Sequence, residues 1–587
     1  MPSITINGKT FPFTPGQKII EVANNADLEI PQYCYHPGLS IPAQCRICLA
    51  EVWAPNPRND NKLEPLMGGK LLPTCATDCT DGMVVYTDSP KSVANQKAVM
   101  EYLLINHPLD CPVCDQAGEC TLQDFSYKYG RSASRFEEQK VKQPKKDLGP
   151  TIYIYSDRCI MCTRCVRFAR EVPGTAELMI EGRGNQSQID IFPGVALDNE
   201  LAGNVVDLCP VGALLDKDFL FAQRVWFLKR TPSIDGITAS GDNIYLEHNE
   251  GRVYRIKPRT NLAINKWWIT DEVRYGWKFI HSDARLTQPL RRQHAALVPS
   301  TWQRTLDLAA AALRSAAESG KRLGLILSPM LSCEDAYHLA RVARQIDPNA
   351  AIALGPVPTD GHDKTFPPGA SPTDTNAFTM YAEKAPNARG VCRVIDALGP
   401  TTSFDDLLKG AESGAISAVI ATGNYPSVWA TDRVINALHR PTLILIDTLA
   451  SPLAEAADFV LPAATWAEKA GTFENARNLI QAFEQAIPVV GHSKSEAQIA
   501  LDLEAVLAGE VLASPASGYA DLIVDEGPGQ VPAATASVAV ERATLYNAAD
   551  TRTAMATANP ALSVFITDVL TPAADRAIES DMPLVAL

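Results

Sequence analysis

Several features that would place this chain in a common class of protein are missing from its 587 residues. It has no Walker A loop and no GxGxxG motif opening a βαβ unit, so we expect no nucleotide, flavin or NAD site on this chain. No stretch approaches about 18 uninterrupted apolar residues, which argues against a transmembrane helix. The net charge is −14 rather than positive, which argues against a nucleic-acid binder. The N-terminal MPSITINGKTF lacks the pattern of a secretory signal, so we expect a reducing, cytoplasmic compartment.

Cysteine is scarce in the greater part of the chain, since only Cys333 and Cys392 lie beyond residue 210. Neither has a neighbouring base that would make it a nucleophile, and Cys333 is expected to be an ordinary thiol at the start of a helix. The other 12 of the 14 cysteines precede residue 210. In a large chain of a reducing compartment, such a concentration indicates metal binding rather than a disulfide framework.

The N-terminal part shows the patterns of a small α+β domain. A strand, a turn at Asn7-Gly8 and a second strand are followed by a short helix in KIIEVANNADLEIP. The Pro-, Asn- and Gly-rich residues 54–70 are predicted to be a surface loop. Residues 89–106 are predicted to be a helix capped by Ser89 or Ser92, with an apolar face of Val99, Tyr102, Leu103 and Ile105.

Later parts of the chain differ from the N-terminal part in their residue patterns. The charged residues 132–150 are predicted to be a linker, and residues 221–285 mix short strand signals with turns. From about residue 290, Ala-rich helices alternate with apolar strands such as RLGLILS, AISAVIAT and PTLILIDT, which predicts a parallel α/β domain. Residues 510–587 are expected to form a loosely ordered tail or a small appended element.

The first cysteine group is Cys34, Cys45, Cys48 and Cys75, within YCYHPGLSIPAQCRICLAEV and LPTCAT. Three thiolates within a short loop and a fourth arriving later are typical of a [2Fe-2S] site. Cys79, four residues beyond Cys75, is a rival fourth ligand.

The second group is His107, Cys111, Cys114 and Cys120, in HPLDCPVCDQAGEC. The same four ligands could hold a tetrahedral zinc ion, so the spacing leaves zinc and an iron–sulfur cluster open. If a cluster is bound, a neutral imidazole in place of a thiolate should raise its reduction potential.

The third group is Cys159, Cys162 and Cys165, joined by Cys209-Pro210, in SDRCIMCTRCVRF and DLCPVGAL. Cys-x2-Cys-x2-Cys with a remote Cys-Pro is the ferredoxin-type pattern of a [4Fe-4S] site. Three arginines surround these ligands, and they either neutralise cluster charge or are solvated surface residues: Arg158, Arg164 and Arg167.

The order of these groups resembles the large iron–sulfur subunit of bacterial proton-pumping NADH:quinone oxidoreductase (respiratory complex I). The resemblance is most specific over residues 1–219, through CRICLAEV, HPLDCPVCDQAGECTLQD, DRCIMCTRCVRFARE and DLCPVGAL. Further along, IDTLASPLAEAADFVLPAATWAEKAGTFENARNLIQ looks like the molybdopterin oxidoreductase fold. Some members of the family carry a further cysteine quartet after the third group, but the matching stretch here, in residues 221–285, has no cysteine.

The resemblance implies a multidomain α/β and α+β chain. In order, it implies a β-grasp [2Fe-2S] domain (1–82), a [4Fe-4S] domain with one histidine and three cysteine ligands (83–122), a ferredoxin-like [4Fe-4S] domain (123–220), a cysteine-free remnant of a cluster domain (221–285), a degenerate molybdopterin-oxidoreductase-like α/β domain without cofactor (286–510), and a C-terminal tail (511–587). His107, Cys111, Cys114 and Cys120 would then hold the second cluster. One [2Fe-2S] and two [4Fe-4S] clusters are expected in all, with no molybdopterin.

The function implied by this resemblance is an electron relay without a substrate site of its own. Electrons would pass from a flavin- and NADH-binding subunit toward quinone. The implied partners are that flavin subunit, its small [2Fe-2S] partner, a connecting subunit with two [4Fe-4S] clusters and the quinone-site subunits. The chain would lie on the cytoplasmic side of the inner (plasma) membrane, reaching it only through the complex.

Three alternatives differ in what they require. A formate dehydrogenase or iron-only hydrogenase should carry catalytic cysteines or selenocysteine downstream, where this chain has two isolated thiols. A zinc-stabilised scaffold would be colourless, whereas iron–sulfur clusters are brown. A C-terminal domain that still binds a pterin or nucleotide would need a phosphate-binding loop, and none is found.

Overall fold

The structure, a computed structural model, describes residues 1–512 and 545–569. It divides into two compact units. The first comprises Met1–Leu228 with Thr365–Ala377, and the second comprises Lys229–Lys364 with the described residues from Phe378 onward. In these described ranges, no helix combines the length and apolarity needed to cross a membrane.

The N-terminal part of the first unit is a mixed sheet with a helix packed on it. Its elements are β1 (Ser3–Ile6), β2 (Lys9–Pro12), α1 (Ile19–Asn25), β3 (Leu49–Asn56), β4 (Lys62–Pro65), β5 (Leu72–Pro73) and β6 (Met83–Tyr86). The strand order is β2-β1-β6-β3-β4, with β5 paired to β3, and only β1 and β6 run parallel. The predicted hairpin is confirmed, because Asn7 and Gly8 both take positive φ, as a tight turn between strands requires.

One local prediction for this region was wrong and another was correct only in part. Lys62–Pro65, inside the expected loop, is an edge strand that pairs with the end of β3, and its polar sequence gives no strand signal. The predicted helix is present as α2 (Pro90–Leu104), capped by the Ser89 hydroxyl. Val99 and Leu103 of the predicted apolar face are partly buried against an apolar cluster, but Tyr102 is 75% exposed. The buried positions of the helix are Ser92, Gln96 and Met100. Ser92 and Gln96 can be buried because they donate to the carbonyls of Tyr86 and Thr87.

The rest of the first unit is built from short elements that carry the second and third cysteine groups. They are α3 (Thr121–Tyr129), β7 (Lys145–Asp147), β8 (Ile152–Tyr155), α4 (Arg164–Glu171), β9 (Leu178–Glu181), β10 (Gln188–Ile191), α5 (Asn204–Leu208) and β11 (Leu214–Asp216). Strands β11-β8-β7 form one antiparallel sheet, and β9 and β10 form a separate hairpin.

The second unit begins with the antiparallel strands β12 (Lys229–Ile234), β13 (Asn243–Asn249) and β14 (Arg252–Pro258), followed by α6 (Asp271–Tyr275). A larger α/β domain follows. Its elements are β15 (Leu290–Gln293), β16 (Ala296–Pro299), α7 (Trp302–Glu318), β17 (Arg322–Leu327), α8 (Cys333–Ile346), β18 (Ala351–Leu354), β19 (Lys364–Phe366, of which only Lys364 belongs to this unit), β20 (Phe378–Met380), α9 (Ala388–Ala397), α10 (Phe404–Ser413), β21 (Ile416–Thr422), α11 (Asp432–Leu438), β22 (Thr442–Asp447), α12 (Pro452–Ala456), β23 (Phe459–Pro462), β24 (Gly471–Glu474), β25 (Ile480–Phe483), α13 (Glu496–Leu507), α14 (Ala548–Ala558) and α15 (Val564–Thr567).

The predicted parallel α/β arrangement is confirmed. The seven-stranded sheet has the order β16-β15-β23-β22-β21-β17-β18, and the five strands from β23 to β18 are parallel. Alternate residues face two different cores: Leu325 packs with α7, α8 and α13, and Ile326 packs with α10 and α11. The domain therefore has helices on both faces of its sheet.

Of the two alternatives expected for the C-terminal segment, the described part agrees with a small appended element rather than a loosely ordered tail. The described stretch contains α14 and α15, and Met555, Leu562 and Phe565 are fully buried in the same core as α8. An alanine-rich segment can form a stable helix when a few large apolar residues fix it to a core. Residues 513–544 and 570–587 of the predicted tail lie outside the described residues.

Candidate metal centres

The four cysteines of the first group form two close pairs. Cys34 Sγ lies 3.4 Å from Cys45 Sγ, and Cys48 Sγ lies 3.6 Å from Cys75 Sγ. Two thiolates on one tetrahedral iron would lie about 3.8 Å apart, given metal–sulfur bonds near 2.3 Å. Two such pairs therefore match the donor set of a binuclear centre, with one pair for each iron.

Each pair contains one sulfur that is readily deprotonated. The pKa of Cys45 falls to about 5, chiefly because its thiolate accepts a hydrogen bond from the Cys34 thiol. The pKa of Cys48 is lowered in the same way by Cys75. The pKa values of Cys34 and Cys75 rise because each is the donor to its partner and is buried. Iron would replace the shared proton of each pair.

Cys79 is buried in the same apolar core as Cys48 and Cys75. Its pKa rises to about 11, because it is buried and because the charges of Glu21 and Asp78 oppose ionisation. Cys75, by contrast, lies 3.6 Å from Cys48 Sγ and feels the charges of the other three thiolates of the group, Cys48, Cys34 and Cys45. This proximity, rather than ease of ionisation, favours Cys75 over Cys79 as the fourth donor.

His107 of the second group has the environment of a candidate metal ligand. Its Nδ1 is buried and has no hydrogen-bond partner among the residues that the structure describes. Burial, together with the charges of Lys140 and Arg158, lowers its pKa to about 4, so the imidazole is neutral at physiological pH. A buried neutral imidazole with an unpaired nitrogen is the form that ligates a metal.

The three cysteines of the second group sit on a tight turn and at a helix start. Cys111 is exposed and opens a single 3₁₀ turn, Cys111–Val113, while Cys114 is buried and Cys120 precedes α3. Gly212 packs directly against this turn, since a Cβ there would lie 2.2 Å from Cys114 Sγ. Position 212 therefore requires a glycine. This close contact places the segment just beyond Cys209 against the second group.

The third group lines one cavity. Its walls include the four cysteines and apolar or hydrogen-bonding neighbours: Ile154, Cys159, Ile160, Cys162, Thr163, Arg164, Cys165, Ile189, Cys209, Val211, Ala213 and Leu214. Met161 and Thr163 take left-handed conformations between the ligands, which winds the loop around the cavity. Burial raises the pKa of all four thiols, so bound iron would displace their protons.

The three arginines near this group are not solvated surface residues. Arg158 and Arg167 are buried, and Arg164 is partly buried. Arg158 pairs with Asp110 at 3.0 Å, beside Cys111 of the second group. Arg167 donates to the carbonyls of Cys34 and Cys162, joining the first group to the third. The alternative of solvated surface arginines is therefore wrong.

Side chains of all three groups meet in one apolar cluster. It contains Tyr33, Cys34, Ile47, Met100, Leu122, Phe125, Cys162, Val211 and Ala213, with Cys45, Cys120, Cys159 and Cys209 packed against it. The structure thus brings together sulfurs that lie up to 175 positions apart in the chain, from Cys34 to Cys209.

The donor chemistry of the three groups fits iron–sulfur clusters, because soft thiolates with one imidazole are ligands that such clusters take. Over residues 1–512 and 545–569, no three or more histidine, cysteine, aspartate or glutamate side chains are gathered closely enough to hold one metal ion.

Sequence reasoning missed the residues that connect the groups. Gln44 donates to the Met161 carbonyl at 2.8 Å and to the Thr163 hydroxyl at 3.0 Å, which ties the first loop to the third. Ser40 donates its backbone N–H to Glu171 at 2.8 Å. Gly212 was also missed, although a glycine three residues after a cluster-type cysteine could have been taken as a signal of close packing.

In the second unit, the carboxyl edge of the parallel sheet is filled by paired charges. Lys469 is buried there, with Asp335 at 2.8 Å and Glu496 also in contact. Both carboxylates lie at helix starts, Asp335 in α8 and Glu496 in α13. Anionic ligands of α/β folds bind at this edge, often at helix N-termini. Here the chain's own carboxylates take that position, which does not fit an anionic cofactor.

Five family models match the chain in the predicted order. They are the 2Fe-2S iron-sulfur cluster binding domain (residues 2–90), the NADH-ubiquinone oxidoreductase-G iron-sulfur binding region (96–135), the NADH-quinone oxidoreductase subunit 3 ferredoxin-like domain (149–215), the NADH-ubiquinone oxidoreductase NDSU1/NuoG-like 4Fe-4S domain (228–278) and molybdopterin oxidoreductase (368–506). The chain is thus a multidomain protein of the iron–sulfur class, and the predicted fold class is confirmed. The fourth model covers residues without a cysteine.

Relatives of known name narrow this class. The NADH-ubiquinone oxidoreductase 78 kDa subunit of Neurospora crassa mitochondria is 40% identical over 345 residues, 58% of this chain and 44% of that protein. The G subunit of NADH-quinone oxidoreductase from Rickettsia felis is 36% identical over 349 residues, 60% of this chain and 50% of that protein. The chain is a homologue of these subunits, which confirms the resemblance noted from the sequence. The matches span about half the length of these relatives.

A solved structure is also similar to part of the chain. It is an NAD⁺-reducing [NiFe]-hydrogenase in the H2-reduced state, 27% identical, which covers 38% of this chain and 91% of its own, with a TM-score of 0.32. No conclusion about fold or activity rests on a superposition of that quality.

Proposed function

We propose that this chain is the electron-relay iron–sulfur subunit of the peripheral arm of a proton-pumping NADH:quinone oxidoreductase. It would pass electrons from a flavin subunit toward quinone, as part of the enzyme and without a substrate site of its own. Homology to the large iron–sulfur subunits of this enzyme and the order of the cluster-binding domains support this proposal.

The proposed ligand sets follow the three groups. Cys34, Cys45, Cys48 and Cys75 hold one [2Fe-2S] cluster; His107, Cys111, Cys114 and Cys120 hold one [4Fe-4S] cluster; and Cys159, Cys162, Cys165 and Cys209 hold a second [4Fe-4S] cluster. When bound, such clusters accept and release single electrons. The chain's own residues supply thiolates and a neutral imidazole, exclude water and fix the spacing of the three sites.

One observation carries the relay function. Ligands of all three groups belong to one apolar cluster or pack against it. The third group contacts both of the others, through Arg167 to Cys34 and through Arg158 to Asp110. Closely spaced, buried redox sites in contact with one another are what a relay needs, whereas a scaffold would not require them to converge.

The names of the relatives, which are subunits of a larger enzyme, support a place for this chain in a multi-subunit complex. We propose contacts with the flavin/NADH-binding subunit, its small [2Fe-2S] partner, the connecting subunit with two [4Fe-4S] clusters and the quinone-site subunits, on the cytoplasmic side of the membrane. The absence of molybdopterin is also part of the proposal. It is supported by Lys469, whose charge is already balanced by Asp335 and Glu496 at the edge where an anionic cofactor would bind.

Iron and acid-labile sulfide measured on the full chain, purified anaerobically, test this function. About ten iron atoms per chain, with one binuclear and two tetranuclear EPR signals after dithionite reduction, are expected. Zinc without any EPR signal would refute the relay and favour the scaffold. Quinone reduction by NADH should also require the chain in the assembled complex.

A further inference from the structure

Arg164 differs from the other two arginines of the third group in its hydrogen bonding. Its terminal nitrogens donate to the carbonyls of Tyr35, at 2.6 Å, and Leu208, at 3.3 Å. Its Nε is buried and has no hydrogen-bond partner within residues 1–512 and 545–569. A buried N–H donor without an acceptor is costly, by about 1–3 kcal/mol, and such donors are rare in folded proteins.

The position of Arg164 indicates which kind of acceptor its Nε–H could reach. The side chain lines the same cavity as Cys159, Cys162, Cys165 and Cys209. The free donor therefore belongs to a residue that forms the wall of the proposed [4Fe-4S] site. Sulfur atoms held in that cavity would be acceptors for the N–H, and hydrogen bonds to sulfur are one of the means by which a protein sets a cluster's potential.

The charge of Arg164 also acts on ligands of two centres. Burial lowers the pKa of its guanidinium, while the thiolates of Cys162, Cys209 and Cys34 raise it. Conversely, the Arg164 charge lowers the pKa of Cys162 and of Cys209. One cation thus favours the anionic forms of ligands in the first and third groups, in an interior where charge interactions are stronger than in water.

We propose that Arg164 is a positioning residue that raises the reduction potential of the third centre, by donating its Nε–H to a sulfur in the cavity and by holding a positive charge beside it. Its bonds to the Tyr35 and Leu208 carbonyls hold the first loop and the Cys209 loop at a fixed separation. The inference rests on the proposed function, since it requires the clusters to be present. It goes further by assigning a role to a residue that is not itself a ligand.

Arg164→Gln and Arg164→Lys test the inference in the full chain by EPR-monitored potentiometric titration. Reduction adds negative charge, so loss of the cation should make reduction harder. In the glutamine variant, we expect the equilibrium constant for reduction of the third centre to fall at least tenfold, about 59 mV for one electron. The [2Fe-2S] centre should shift in the same direction by less. The lysine variant keeps the charge and should shift less than the glutamine variant.

Two controls separate this role from general damage. Arg170→Gln removes an exposed arginine from the same helix and should leave every potential unchanged. Arg167→Gln removes a buried charge whose nitrogens already donate to carbonyl and hydroxyl oxygens. Backbone amides such as that of Met161, which donates to Cys159 Sγ at 3.3 Å, also carry exchangeable protons near the third group. Pulsed EPR in D2O should therefore detect one exchangeable-proton coupling of the third centre that is retained in Arg167→Gln and lost in both Arg164 variants, while the amide couplings persist in all three. The third centre is recognised as the tetranuclear signal without histidine nitrogen coupling.

Each outcome is decisive. Shifted potentials with loss of the coupled proton support the inference. Unchanged potentials in Arg164→Gln, with all centres assembled, overturn it and leave the relay function intact. Loss of the third centre in both Arg164 variants would assign the residue to assembly of the site and would also overturn it. If the unmodified chain shows no iron–sulfur signal, the proposed function itself fails.

Discussion

Replacing Cys75 or Cys79 by alanine gives the sharpest test of the first centre. Alanine removes the sulfur without offering an oxygen that iron could accept as a ligand. Cys75 Sγ lies 3.6 Å from Cys48 Sγ, so its loss leaves Cys48 without the partner that completes its pair. We expect Cys75→Ala to lose the binuclear EPR signal and to hold about eight iron atoms per chain instead of about ten.

Cys79→Ala is the matched control, because both thiols are buried and only four positions apart. The Cys79 backbone N–H donates to the Gln17 carbonyl at 2.9 Å, which the substitution preserves. What separates the two thiols is position, because Cys75 Sγ lies 3.6 Å from Cys48 Sγ and forms a close pair with it. The variant should keep its full iron content and lose only about 1 kcal/mol of stability, as a typical buried substitution does.

Iron and sulfide analysis, EPR after dithionite and thermal unfolding separate the two variants. The tetranuclear signals should persist in both, which shows that the remainder of the first unit is folded. A Cys79→Ala chain without the binuclear signal, beside a Cys75→Ala chain that retains it, would refute the paired-sulfur reasoning and assign the fourth ligand to Cys79.

Three further predictions follow from other contacts. Gly212→Ala should abolish the histidine-coupled tetranuclear signal and spare the binuclear one, because its Cβ would lie 2.2 Å from Cys114 Sγ; EPR measures both signals. Lys469→Met should destabilise the second unit by about 3–5 kcal/mol in urea unfolding, because two buried carboxylates lose their cation, and an unchanged midpoint would contradict this. Burial and the charge of Arg341 lower the pKa of His338 to about 4, so the folded state favours the neutral imidazole. The contribution of this preference to the free energy of unfolding is complete above the unfolded-state pKa of about 6.5, and it is lost as the pH falls from about 6.5 through 4. His338 contacts Thr551 at 3.0 Å, so hydrogen exchange should show that α14 loses about 2 kcal/mol of protection between pH 7 and pH 5, but not in His338→Asn.

The sequence was sufficient to predict those parts of the structure that depend on a local pattern of residues. Strand β1, its Asn7-Gly8 turn and strand β2 follow from neighbouring residues, and the parallel strands β17, β21 and β22 follow from short apolar runs between helices. The cysteine spacings were equally informative, because a metal cluster restricts how few residues can separate its ligands. The ligand sets remain predictions, yet the structure brings the first group into two pairs and the third group around one cavity.

Contacts between distant segments could not be predicted in the same way. Nothing near Arg158 in the sequence shows that it pairs with Asp110 on another loop, and an arginine beside a cysteine is equally compatible with solvent. Lys469 lies more than 100 positions from Asp335, so the balance of charge at the sheet edge is visible only in the fold. The helical tail segment was missed because its helix is stabilised by packing of Met555 and Phe565 rather than by an amphipathic pattern.

The order of the three groups along the chain differs from their arrangement in space. The third group is last in sequence, yet its residues reach both of the others: Arg164 and Arg167 bond to the loop of Cys34, and Gly212 packs on Cys114. The segment around Cys209 therefore closes a site that the earlier residues only begin. These contacts connect the loops of the three groups. A shift of one loop would therefore move a ligand or a neighbouring charge of the next group, so the whole unit fixes the spacing of the groups. A chain that needs only stability does not require such coupling between loops. An electron relay does require it, because the distances between its centres must stay fixed.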